Sequence, residues 1–384
     1  MRFLLTVFLS LFVVIAVHDS AMARDLEKYT SAKQALMMDY ETGMVLLEKN
    51  ADQHMPTSSL SKIMTMFMVF EALKDGRLTL DTELPVSEKA WRKKGSKMFV
   101  EVGDHVRVED LIKGVLVQSG NDATIVFAEG LAGSEKAFAE AMNARARELG
   151  MKNSNFVNAS GWPHPDHYSS ARDLAILAWH VIHDFPEYFP YFSIPEFTYN
   201  AIKQRNRNPL LYREMGADGM KTGYTVAGGY GLIATGQRNG RRVVLVVNGL
   251  ENEKERAKEG ARLLEWGLSG FENVNAFAAG ETITEAPVVL GKKKSVPLTV
   301  TEDLKVTVPT LKKDKIKITT EYEAPLVAPV NRGDIAGYVT MKISAMEAIH
   351  LPLAAAKSVE RKGLFSGTLE KARIYFMGAP AYEH

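Results

Sequence analysis

The sequence predicts an α+β fold in which an antiparallel sheet is covered by helices, followed by a small all-β unit. Strand-like segments stand near the start of the chain and again around Tyr230 to Leu250, with helical segments between them. The helical stretch "PTSSLSKIMTMFMVFEAL" (Pro56 to Leu73) has no wide polar face, so it belongs at the centre of a domain. After about Phe271 the texture changes to short, β-branched, partly alternating runs punctuated by Gly and Pro, as in a sandwich.

Taken in order, "QALMMDYETGMVLLEKN" (Gln34 to Asn50) reads as a hairpin around Glu41-Thr42-Gly43. The apolar helix follows and ends near "KDGR", where Gly76 can adopt the left-handed conformation. It is too short to cross a membrane. From Val108 to about Leu149 the chain is helical with breaks at Gly114, "SGND" and "AGS". In "SSARDLAILAWHVIHDF" Ser170 caps a further helix, with Asp173 three residues on. "YGLIATGQRNGRRVVLVVNGL" gives two apolar strands joined by Asn239-Gly240, and "ENEKERAKEGARLLEWGLSGF" closes the unit as an amphipathic helix.

The 384 residues suffice for two domains. Lys and Arg number 47 against 46 Asp and Glu, so no global field points to nucleic acid. With no cysteine there is no disulfide framework, thiol nucleophile or cysteine-ligated metal. "MRFLLTVFLSLFVVIAVHDSAMA" has an early Arg2, an apolar run and Ala21-Met22-Ala23, the pattern of a cleaved signal peptide over 1–23 and of an exported chain. The expected layout is then a 24–272 domain, a 273–360 β-sandwich and a 361–384 tail. The tail carries Phe365, Leu369, Ala372 and Phe376 on one helical stripe, which fits either packing on the β domain or lying in a membrane surface.

Chemistry enters at Ser59 and Lys62. Three residues apart on a helix, they share a face. An alcohol is a weak nucleophile that needs a base, and a lysine serves if desolvation and a nearby cation depress its pKa. S-x-x-K alone is weak, being expected by chance roughly once or twice in such a chain. Two further stretches supply the missing parts. "VQSGNDAT" presents Ser119 and Asn121 where an apolar helix breaks, and "GADGMKTGYT" carries Lys221, Thr222 and Gly223 in a strand-like context. Lys221 offers the second cation, and Gly223 would admit a substrate backbone. Each has a plainer reading alone, a turn and an exposed edge. Their order after a helical S-x-x-K makes the joint pattern specific. His164, Asp166, His167, His180 and His183 could in principle ligate a metal, but this serine chemistry requires none, and no metal or other cofactor is expected.

With "PTSSLSKIMT", "SGNDA", "HYSSARDLA", "KQRNRNPLL" and "DGMKTGYT" in this order, the sequence resembles the low-molecular-mass penicillin-binding proteins that act as D-alanyl-D-alanine carboxypeptidases, peptidase family S11. The resemblance covers nearly the whole chain after the signal segment. "NASGWPHPDHYSS" (Asn158 to Ser170) departs from the commoner N-x-H-G-L-D form at Ser160 and Trp162. The resemblance implies a serine transpeptidase/β-lactamase-like catalytic fold. It also implies Ser59 as nucleophile, Lys62 as its base, Ser119 as proton relay and Asn121 as holder of the peptide amide. Lys221, Thr222 and Arg207 would bind the terminal carboxylate, and the N–H groups of Ser59 and Tyr224 would form the oxyanion hole. The implied partners are peptidoglycan stem peptides, β-lactam antibiotics and, through the tail, the periplasmic face of the cytoplasmic membrane. Alternatives are D,D-endopeptidase action on cross-links or a non-catalytic wall-binding scaffold. A β-lactamase is disfavoured by the lack of an E-x-x-L-N loop.

Overall fold

A computed structural model describes residues 29–310, 316–343 and 348–363. The signal segment, and the tail stripe from Phe365 to Phe376, lie outside the described residues.

The first hairpin pairs β1 (Gln34–Asp39) with β2 (Val45–Lys49). Seven α-helices follow among the described residues: α1 (Lys62–Lys74), α2 (Glu88–Arg92), α3 (Val108–Val117), α4 (Asn121–Ala132), α5 (Glu135–Glu148), α6 (Ala171–Asp184) and, after the last three strands of the main sheet, α7 (Glu253–Ser269). The strands are β3 (Ala217–Thr225), β4 (Gly229–Arg238) and β5 (Arg241–Leu250). They join the first hairpin in one antiparallel sheet of order β2-β1-β5-β4-β3. The expected layer of helices on an antiparallel sheet is what forms.

Strand β5 lies at the sheet's centre, and its unbroken run of valine and leucine is buried along nearly its whole length because both faces are covered. On one face α1 and α6 pack into a core with Phe67, Phe70, Leu174, Leu177 and Val244. On the other, Leu263, Leu264 and Leu268 of α7 meet Met37, Leu232 and Leu245. The β4–β5 turn has Asn239 at φ 51° and Gly240 at φ 81°, the two left-handed residues that suit the twist of a tight hairpin. At α6 the Ser170 hydroxyl accepts a hydrogen bond from the Asp173 N–H at 3.1 Å, as the capping pattern requires.

Beyond α7 the regular elements among the described residues are all β strands. β6 (Phe271–Phe277) pairs with β9 (Leu304–Pro309). A six-stranded sheet runs β10 (Ile316–Tyr322), β12 (Ile335–Ile343), β13 (Ile349–Ala355), β8 (Ser295–Val300), β7 (Thr282–Val289) and the short β11 (Leu326–Val327). Inward residues Val296, Leu298, Val306, Val308, Val339, Met341 and Leu353 fill a core of their own. Among the described residues no helix is long and apolar enough to cross a membrane.

A polar junction joins this unit to the first hairpin. Arg241 Nε meets the fully buried Asp39 carboxylate at 2.7 Å, while Arg241 Nη1 donates to the carbonyl of Gly267 at 2.6 Å. Asn273 donates to Asp39 Oδ1 at 3.1 Å and accepts from Thr307 at 2.9 Å. Removing one partner of a buried pair strands the other charge. Arg241→Met should therefore lower stability in urea by about 3–5 kcal/mol. Asp39→Asn combined with Arg241→Met should recover much of that loss.

Candidate active site

The segment that begins the buried helix is in two parts. Ser58–Ser61 forms a 3-10 turn, and α1 starts at Lys62. In a 3-10 turn residues i and i+3 eclipse, which sets Lys62 beside Ser59. Lys62 Nζ lies 2.8 Å from Ser59 Oγ. It also donates to the Ser160 carbonyl at 2.6 Å. Lys62 is fully buried, and burial first, then the charges of Lys221, Arg207 and Lys93, hold its pKa well below the ordinary lysine value. An amine whose proton is held weakly, set against a serine hydroxyl, stands where a general base would have to stand.

What holds the turn is a backbone clasp. The segment Asn158 to Trp162 is folded on the Asn158 side chain, whose Oδ1 accepts from the N–H groups of Ser160 (3.1 Å) and Trp162 (3.0 Å). Thr65 of α1 donates to the Ala159 carbonyl at 2.6 Å. Gly161, at φ +77°, brings its backbone so near the turn that a Cβ would stand 1.7 Å from the Ser58 carbonyl oxygen. Strand β3 closes the other side. A Cβ on Gly223 would come within 3.0 Å of Leu60 and 3.1 Å of Ser58, so this glycine already serves the approach of turn to strand, ahead of any substrate.

Lys221 and Thr222, also on β3, are buried. Desolvation, then Arg207 and Arg256, lower the Lys221 pKa well below its ordinary value. β3 is an edge strand of the sheet, and an edge offers unpaired N–H and C=O groups to an extended ligand. Tyr224 lies half-exposed, its ring 4.2 Å from that of Tyr230.

The third wall is the break between α3 and α4. Ser119 has φ +66°, a strained conformation for a residue with a side chain, and its buried hydroxyl has no partner among the described residues. Asn121, the first residue of α4, donates from Nδ2 to the Lys94 carbonyl at 2.9 Å and from its backbone N–H to the Ser96 carbonyl at 2.7 Å. Arg207 Nη1 donates to Ser96 Oγ at 2.7 Å. Ser96 therefore ties Arg207 to Asn121. Neighbouring Asp122 accepts from the N–H groups of Met98 (3.0 Å) and Phe99 (2.9 Å), and so fixes the loop that carries Ser96.

Sequence reasoning missed several contributors. Ser160 was visible only as a departure from a motif, while Gly161 and Asp122 stood inside quoted blocks with no role assigned. Arg256 of α7 is buried over the Tyr230 ring at 5.5 Å and adds positive charge behind Lys221. An Arg near the start of an amphipathic helix carries no signal of that. The histidines divide: His180 and His183 share Asp184, at 2.9 and 2.7 Å, and His167 is buried against Ser61.

A desolvated lysine on a serine, a second buried cation and an unpartnered hydroxyl define an acyl-transfer site of the serine hydrolase class. Residues 20–252 match the model of the family Peptidase S11, D-alanyl-D-alanine carboxypeptidase, and residues 271–361 match that of the penicillin-binding protein 5 C-terminal domain. The chain is 37% identical over 369 residues to the D-alanyl-D-alanine carboxypeptidase DacA of Haemophilus influenzae, spanning 93% of this chain and 94% of that one. It is 37% identical over 342 residues to DacC of Escherichia coli, spanning 87% of this chain and 86% of that one. Among solved structures it is similar to the carboxypeptidase DacD of Francisella tularensis, with a TM-score of 0.80 at 32% identity over 86% of this chain and 94% of that one. The chain belongs to the S11 family and is a serine-type D-alanyl-D-alanine carboxypeptidase.

Proposed function

We propose that the enzyme trims the terminal D-alanine from peptidoglycan pentapeptides, with Ser59 as the acylated residue. Ser59 Oγ attacks the carbonyl carbon of the penultimate D-alanine, and its proton passes to the neutral Lys62 amine. The N–H groups of Ser59 and Tyr224 receive the developing oxyanion, worth about 3 kcal/mol per donor. Collapse breaks the peptide bond, and Ser119 relays a proton to the leaving D-alanine nitrogen. Asn121 holds the peptide amide, while Lys221, Thr222 and Arg207 bind the terminal carboxylate that makes this an exopeptidase. Water then attacks the acyl carbon, releasing the shortened peptide and restoring Ser59. β-Lactams acylate the same oxygen by opening their ring.

The observation that carries this reading is the 2.8 Å contact between Lys62 Nζ and Ser59 Oγ. Mass spectrometry of the intact protein after penicillin, followed by peptide mapping, should find one adduct on Ser59. Ser59→Ala should carry none and should release no D-alanine from a pentapeptide. An adduct elsewhere would overturn the assignment. Export through residues 1–23, and peripheral attachment to the periplasmic face of the membrane through the tail, belong to the same proposal. Deleting residues from 364 onward should move the protein from the membrane fraction to the soluble one.

A further inference from the structure

Behind the reactive face of the Ser58–Ser61 turn, a histidine outside the reaction steps above is built into the fold. His167 is 4% exposed. Its Nδ1 accepts a hydrogen bond from the Val157 N–H at 3.2 Å, and its Nε2 lies 2.7 Å from Ser61 Oγ. A backbone N–H can only donate, so Nδ1 carries no proton and the proton of the neutral ring sits on Nε2. The ring therefore donates to Ser61 Oγ, and that hydroxyl is in turn hydrogen-bonded to Thr57 Oγ1 at 2.5 Å. Thr57 and Ser61 are both buried, and they stand two residues either side of Ser59.

This places one rigid ring between the two things that set the reactive pair. Through Ser61 and Thr57 it holds the turn that aims Ser59. Through Val157 it holds the entry to the clasp whose Ser160 carbonyl receives Lys62 Nζ at 2.6 Å. The Phe156 ring meets the imidazole edge-on at 5.6 Å and limits its rotation. Burial, then the nearby Lys62, push its pKa down to about 4, so that the neutral donor–acceptor form is the one present near neutral pH.

We propose that His167 is a positioning residue for acylation: as a neutral Nε2–H tautomer bridging Val157 and Ser61, it fixes Ser59 and Lys62 in register with each other. It touches neither substrate nor the reacting atoms. The inference rests on the reading of Ser59 as the nucleophile, and the same bond suggests its own control. A glutamine side chain offers an acceptor oxygen and a donor nitrogen and can replace both hydrogen bonds, whereas leucine fills similar space with neither.

The test is stopped-flow acylation by a chromogenic cephalosporin, separating the binding constant from the first-order acylation constant, with adduct mapping on each protein. His167→Leu should lower the acylation constant at least about 10-fold with binding unchanged, since a small misplacement of reacting groups is felt mainly in the chemical step. His167→Gln should stay within about 3-fold of wild type. Ser61→Ala approaches the same bond from the other end with a smaller change of volume, and serves if the leucine variant does not fold. It too should lower the acylation constant and spare binding. If the wild type maps to Ser59 while His167→Leu, or Ser61→Ala in its place, acylates at the wild-type rate, the inference is wrong and the site assignment stands. A glutamine variant as slow as the leucine one would likewise overturn it. If the wild type gives no adduct on Ser59, the site assignment falls and takes this inference with it.

Discussion

Lys62→Met should lower the rate of acylation by about 10³-fold, within the range by which a positioned general base accelerates a reaction, while leaving a folded protein. Methionine keeps the length and apolar stem of lysine, and the site it enters is already dry. The Ser160 carbonyl loses its partner, which costs about 1–3 kcal/mol. Relief from burying an amine offsets part of that. The measurement is a rate of penicillin adduct formation set beside a thermal unfolding curve. A near-wild-type rate would remove Lys62 from the mechanism. The pH dependence carries a sign as well. Only the neutral amine accepts a proton, so acylation should rise with pH as Lys62 deprotonates. Lys221 is the charge that contributes most to holding the Lys62 pKa down. Lys221→Met removes that repulsion and favours protonated Lys62. The acid limb of the acylation profile should therefore move to higher pH.

Gly161→Ala should be the most damaging single methyl group in the catalytic domain. The new Cβ would stand 1.7 Å from the Ser58 carbonyl oxygen and 2.4 Å from its carbon. Both are backbone atoms, so no rotamer change relieves the overlap. The left-handed φ of +77° adds about 1–2 kcal/mol for any residue with a Cβ. Overpacking of this kind costs a further 1–3 kcal/mol or so. The turn must shift, and with it Ser59, so acylation should fall by about 10²-fold or more. Gly76→Ala is the matched control. It has the same kind of φ, +78°, with nothing within 4 Å of the added carbon. It should show the backbone penalty alone and normal acylation. Equal behaviour of the two variants would mean that contact with Ser58 is not what Gly161 secures.

The candidate reactive groups were legible because the chemistry constrains residue type at fixed spacing. Ser59 and Lys62 sit on one turn, and three residues of chain bring them together whatever the rest of the molecule does. The helical breaks, the Ser170 cap and the Asn239-Gly240 hairpin were legible for a similar reason, since local backbone geometry selects those residues. Gly223 was half read. The need for a small residue was clear, but its neighbours, Ser58 and Leu60, come from a segment far away in sequence.

By itself, then, the sequence determined an antiparallel sheet under helices, an all-β unit after it, and a serine, a lysine and two short motifs suited to acyl transfer. Only the tertiary structure decided the surroundings that would make them reactive. The Ser160 carbonyl on Lys62, the Gly161 backbone on Ser58, the bridge from His167 to Ser61 and the charge of Arg256 behind Lys221 all join residues far apart along the chain. Desolvation and charge act through space and fall off with distance, and a linear order of residues does not contain those distances.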